Sequence, residues 1–185
     1  MVFLAIPNPL FRRVATATGS KTSHVGITFK KPNGDWEIAE STFPKSKFTP
    51  FQKYINRSEN GWFVIRRYKQ GLTQDQVQIL RSECEKRMNI FYHLGFRYES
   101  RRLFCSKLVY EVYKSAVGIE AGTLETFDRL LASQPSTSLS FWRAWFFGFI
   151  PWSRITVTPE SQFSSELFET VYESNNGNAV IGDSP

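Results

Sequence analysis

Apolar positions alternate with polar ones in short bursts near the start of the chain, and they recur at helical spacing further on. VFLAI (2–6), HVGITFK (24–30), DWEIAES (35–41) and GWFVIRRYK (61–69) carry strand patterns rich in β-branched and aromatic residues. KPNG, between the second and third of these, holds the Asn-Gly pair of a tight hairpin turn. PLFRRVATATG (9–19) predicts a helix opening at Pro9 and stopping at Gly19, and KFTPFQKYINR a loop followed by a short helix. In LTQDQVQILRSECEKRM (72–88), Thr73 and Gln76 have the spacing of a capping box, and Val77, Leu80, Cys84 and Met88 fall on one helical face. A further helix is predicted from Cys105 to about Val117, with Gly118 as its stop, and a shorter one over 123–133. RITVTPESQF (154–163) reads as strand, Thr-Pro turn and helical turn, and LFETVYES (167–174) as a last strand. There is no internal repeat and no long linker. The expectation is one domain over 1–173 and a frayed, disordered tail over 174–185, which is polar and glycine-rich.

The 185 residues are enough to bury one real core. Aromatics at 16% are high, and the net charge of +6 suits an anionic partner as well as ordinary solubility. No RNP-type motif, zinc-ligand spacing or lysine-rich tail accompanies that charge, so no nucleic acid is expected. No cofactor and no metal are expected either. Two cysteines make no disulfide framework. MVFLAIPNPL lacks the basic start and cleavage site of a signal peptide. The greasiest stretch, SLSFWRAWFFGFIPW (138–152), is too short to span a bilayer and contains Arg143 and Pro151. A cytoplasmic location is the expectation.

Chemistry enters with Cys105. At the first turn of a helix, unpaired N–H groups and the helix dipole favour a thiolate, and Arg101, Arg102 and Lys107 act in the same direction. Cys105 also begins an apolar stripe with Leu108, Val109, Val112 and Ala116, so a core role competes with a nucleophilic one. Cys84 lies within an apolar helix face and reads as core. The chain has only two histidines. His24 begins a strand, a rigid place from which to aim an imidazole, whereas His93 lies in a loop. A base needs an orienting group on its other nitrogen. Strand alternation in DWEIAES puts Glu40 on a face with Trp36 and Ile38, where a carboxylate needs a partner, and Glu37 on the other face, read as solvated. The best arrangement is Cys–His–Glu in the chain order His24, Glu40, Cys105.

SHVGI, IAES, RYESRRLFCSKLVYEVYK and FWRAWFFGFIPWSRITVTPES together resemble the YiiX/YebB-like members of the NlpC-type cysteine hydrolase superfamily, in its circularly permuted form. The resemblance spans roughly residues 2 to 165 in unchanged order. It implies an α+β, permuted papain-like fold, a central antiparallel sheet packed against the nucleophile helix. It also implies Cys105 as nucleophile, His24 as base and Glu40 as the third polar residue; His93 matches no catalytic position. The mechanism implied is thiol acyl transfer, with the Cys105 backbone N–H as one oxyanion donor and the second not legible.

The expected reaction is hydrolysis of an amide in a peptidoglycan-type peptide. The rivals are a lipid acyl hydrolase or acyltransferase, and a non-catalytic binding module on the same fold. Expected partners are a peptide, muropeptide or lipid substrate, anionic in some of these cases. A weak membrane-surface contact through 138–152 is a further expectation. A wall of rings beside the thiol favours an acyl chain, whereas a polar groove favours a peptide stem.

Overall fold

The computed structural model describes residues 1–133, 137–175 and 178–181. Strands β1 (Val2–Leu4), β2 (His24–Lys30), β3 (Trp36–Glu40), β4 (Lys47–Pro50), β5 (Phe63–Tyr68), β8 (Phe168–Asn175) and β9 (Asn178–Ile181) form one sheet in the order β4-β3-β2-β1-β5-β8-β9. All of its pairings are antiparallel. A two-stranded ribbon, β6 (Glu125–Thr126) with β7 (Ile155–Thr156), stands apart from it. The hairpin between β2 and β3 closes at Gly34, whose φ of 91° is the left-handed conformation that the Asn-Gly pattern anticipates.

The sheet has two working faces. Val25, Ile27, Phe29 and Ala39 point toward α3 (Gln74–Glu85) and α4 (Cys105–Val117), and form the main core with Leu80, Cys84, Leu108, Val109 and Val112. Ile38 points the other way and packs with Val2, Leu4 and Tyr54 of α2 (Phe51–Ile55). Helix α3 starts with the reciprocal Thr73–Gln76 capping box. Of its expected apolar face, Leu80 and Cys84 are buried and Met88 packs on the core, but Val77 is 41% exposed, one turn before the packed stretch. Helix α4 ends at Gly118, with φ 71°. Nearly every side is covered from Cys105 to Tyr113, so this is a central helix and not an amphipathic surface one.

Three segments differ from the sequence expectation. The stretch read as loop before α2 is strand β4, and the helix expected over 123–133 opens with β6 before α5 (Phe127–Ala132). In both places pairing to another part of the chain overrides local propensity. Strand β9 pairs with β8 inside the stretch expected to be a frayed tail; residues 176, 177 and 182–185 of that stretch lie outside the described residues. Helices α1 (Pro9–Ala17), α6 (Leu139–Trp145) and α7 (Pro159–Phe163) and a short 3-10 turn (Glu59–Gly61) complete the described elements. The rings of α6 gather with Val14 and Ala17 of α1 and Phe127 of α5 in a separate apolar cluster. Among the described residues no helix is long and apolar enough to cross a membrane.

Candidate active site

Antiparallel pairing of β2 with β3 carries His24 and Glu40 to the same end of the sheet and the same face. The approach is close because of Gly26: a Cβ there would meet Ile38 Cγ2 at 2.4 Å. The glycine in HVGI is thus a packing requirement of the very strand pair that joins these two side chains.

His24 Nε2 and Glu40 Oε2 are hydrogen-bonded at 2.7 Å, and both side chains are wholly buried. A lone buried carboxylate is costly, and this one is satisfied on every side. Thr49 of β4 donates its hydroxyl to Glu40 Oε1 at 2.6 Å, and Arg57, just past α2, donates to Oε2 at 2.7 Å. Burial pushes the Glu40 pKa up, but His24, Arg57 and Thr49 outweigh it and hold the carboxyl at about 2. The His24 ring is fixed between Tyr54, with centroids 5.6 Å apart, and the edge of Phe11 at 6.2 Å. Tyr54 is itself anchored by its hydroxyl to the Val2 carbonyl at 3.0 Å. Glu37, expected to be solvated, is instead paired with Arg81 of α3 at 2.7 Å, on the opposite face from His24.

Cys105 reaches the same place from the start of α4. His24 Nδ1 is buried and has no well-formed hydrogen bond to another protein group, and the Cys105 thiol is its neighbour. Burial alone pushes this thiol up. Interaction with His24 and the N–H groups of Ser106 and Val25 outweighs burial and brings its pKa below the ordinary value. Reciprocally, burial lowers the His24 pKa, but Cys105 and Glu40 prevail and raise it to about 9.

Lys107 acts differently from the expectation. Lys107 is buried, and its Nζ donates to the carbonyls of Ser100 and Arg102 while pairing with Glu111 at 3.5 Å. It ties down the loop before α4, and the thiol is tuned by the imidazole and by backbone. His93 stays apart from Glu40: its Nδ1 accepts from the Gly95 N–H at 2.9 Å, and burial and Arg154 lower its pKa.

One residue at the site had no sequence signal. Tyr92 is buried, its hydroxyl has no well-formed partner, and it lies against the thiol and the backbone N–H of Cys105. Burial, and next the Cys105 charge, raise its pKa well above the ordinary phenol value, so it stays an O–H donor. It sits in a loop held by bridge pairing to Leu103, which no periodicity betrays.

Beyond Cys105 the surroundings are apolar. Phe11, Val14, Phe96, Phe104, Phe127 and Trp142 border a cavity of about 30 Å³ that reaches the thiol. Cys105 itself is only 4% exposed.

Known proteins share this arrangement of the chain. YiiX of Escherichia coli K12, an uncharacterized protein, is 28% identical over 163 residues, covering 86% of this chain and 78% of YiiX. The crystal structure of metalloprotein YiiX from Escherichia coli O157:H7 has the same fold, with a TM-score of 0.83 at 23% identity and 94% of each chain covered. Here the donors do not suit a metal ion. Among the described residues no group of three or more His, Cys, Asp or Glu side chains is placed so as to hold a metal ion, and His24 Nε2 and both Glu40 oxygens are already hydrogen-bonded within the protein. The profile of the permuted papain-like amidase enzymes, YaeF/YiiX, matches residues 1–172, and on that span the chain belongs to the C92 family.

Proposed function

We propose that the protein is a cysteine hydrolase that cleaves an amide bond whose acyl side is apolar. The observation that supports this reading is the buried His24 ring, held by Glu40 through Nε2, with its Nδ1 left without a hydrogen-bond partner and the Cys105 thiol among the groups that act on the ring. Nδ1 takes the thiol proton, and the thiolate attacks the carbonyl carbon. The carbonyl oxygen becomes an oxyanion that accepts from the Cys105 backbone N–H and from the Tyr92 hydroxyl. Nδ1–H then protonates the leaving amine as the C–N bond breaks, leaving a thioester on Cys105. Water attacks the thioester, gives a proton to Nδ1 and releases the acid as the thiolate re-forms. Glu40 remains ionised throughout, holds one orientation of the ring and stabilises the imidazolium.

The rings beside the thiol favour an apolar acyl group over the polar stem of a muropeptide. The cavity of about 30 Å³ has room for a water molecule but none for an acyl chain. An acyl chain therefore needs this cavity to widen, and its apolar lining then keeps water from the thioester. The test pairs long-chain N-acyl amides with muropeptides and reads products and intact protein by mass spectrometry. The expected result is cleavage of the acyl amide, with a transient acyl adduct on Cys105 that Cys105→Ala lacks. Cleavage of muropeptides alone would sink the apolar reading. Failure of both substrates, together with an inert thiol, would favour the binding-module rival.

A further inference from the structure

The turn after α6 displays rings where water is. Phe147 is 99% exposed and Phe149 is 76% exposed. Their flanks are anchored: Phe146 stacks on Trp142 at 5.9 Å and meets Phe127 edge-on at 5.6 Å, and Ile150 is buried. The turn is closed by its own backbone, with Gly148 N–H donating to the Arg143 carbonyl at 2.6 Å and Phe149 N–H to the Phe146 carbonyl at 3.2 Å. Phe147 has φ 54°, a left-handed conformation that is uncommon for a bulky side chain. The chain thus accepts an unfavourable backbone to hold a ring in water, where it gains no burial.

Charge singles out the kind of partner. Between Asp128 and Glu160 there is no carboxylate side chain, while Arg129, Arg143 and Arg154 fall in that stretch. Helix α1 adds Arg13, whose guanidinium lies 5.6 Å over the Phe141 ring of α6. Arg143 lies on the helix that leads into the turn and the Arg154 guanidinium sits 4.9 Å over the Phe146 ring, and protruding rings flanked by such cations suit the boundary between headgroups and acyl chains of a negatively charged membrane surface. A protein partner fits less well, since two rings on a turn present far less than the roughly 800 Å² per side of a stable protein interface.

We propose that the turn 146–149 is a docking tip for an anionic lipid surface, inserting Phe147 and Phe149 while the neighbouring arginines meet the headgroups. Trp142 and Phe127, which support this turn, also border the cavity at Cys105. The tip is therefore the outer end of the same apolar wall. The inference deepens the acyl-amide reading by saying where such a substrate is met. Its test involves no turnover, so the two fail separately.

Cys105→Ala protein is floated with vesicles of phosphatidylcholine alone and of phosphatidylcholine with phosphatidylglycerol. Binding is expected with the anionic vesicles, weakened about tenfold by high salt or by omission of the anionic lipid. Phe147→Ser with Phe149→Ser should cut it at least about tenfold without moving the thermal midpoint, and Phe147→Trp should keep it. No flotation with anionic vesicles, or equal flotation of the double serine variant, overturns the proposal. A dimer of the parent protein that the double substitution dissolves, seen by light scattering, overturns it in favour of a second copy of the chain.

Discussion

Cys84 and Cys105 are both buried, at 0% and 4% exposure, in neighbouring helices that share one core. Their thiols are nevertheless driven in opposite directions. On α3, burial pushes Cys84 up to about 12, and Arg87 and Arg81 are too weak in effect to offset it. On α4, burial pushes Cys105 the same way, but an imidazole and two backbone N–H groups overcome it. Desolvation favours the neutral thiol at either place, and the partner decides which way the thiol pKa moves. Both cysteines lie on apolar helix faces, and one of them also lies at a helix start.

The largest effect expected from breaking this comparison is at the thiols themselves. Cys105→Ala should lower turnover of an accepted amide by about five or six powers of ten, while Cys84→Ala should leave it within about threefold. Alkylation gives the same contrast without a substrate: iodoacetamide should modify Cys105 near neutral pH and spare Cys84 until the protein unfolds. Equal labelling of the two thiols in the folded protein would remove the basis for calling Cys105 the nucleophile.

Next in size is the pair of glutamates in β3. Glu40→Gln keeps the shape and removes the charge, and turnover should fall by about ten-thousand-fold in a folded protein. Glu37→Gln disturbs a partly exposed pair with Arg81 and should cost at most about 1 kcal/mol of stability with little change in turnover. An inactive Glu37→Gln beside an active Glu40→Gln would mean that the strand face has been assigned backwards.

Stability should follow pH through the same network. Glu40 is held at about 2 against 4.5 for an ordinary carboxyl. Its contribution is therefore complete above that ordinary value and is lost as pH falls through the folded one. His24 is held at about 9 against 6.5, so its share is complete below the lower figure and is lost as pH rises through the higher. Thermal midpoints should be highest between these limits, and Glu40→Gln should flatten the acid side. Parallel curves for the parent and Glu40→Gln below pH 4.5 would contradict the carboxylate's place in the network.

The smallest effect is expected at Arg57, which is about one-third exposed, so that solvent screens its pull on Glu40. Arg57→Ala should move the acid limb of activity toward higher pH and lower turnover roughly three- to tenfold, with partial recovery in Arg57→Lys. A loss of turnover with no shift of the acid limb would make Arg57 a packing residue only.

Much of this was legible in the chain. The period-2 alternation of DWEIAES separates Glu40 from Glu37, and the structure keeps that separation because a strand's side chains must alternate across its sheet. The Asn-Gly turn, the Thr73–Gln76 box and the Gly118 stop are local rules, and each appears where the sequence puts it. The resemblance of SHVGI, IAES and the Cys105 helix to permuted papain-like hydrolases agrees with the family and fold found. Tertiary structure alone decided the rest. Thr49 joins Glu40 from a fourth strand whose local pattern looked like loop, and Arg57 joins it from just past the short helix that the pattern anticipated. Tyr92 reaches Cys105 from an aperiodic segment. Lys107 turned from a presumed tuner of the thiol into a buried brace, because its long stem let the ammonium reach loop carbonyls. Periodicity reports which face a residue occupies; which distant groups meet it there depends on how the sheet and helices close on one another.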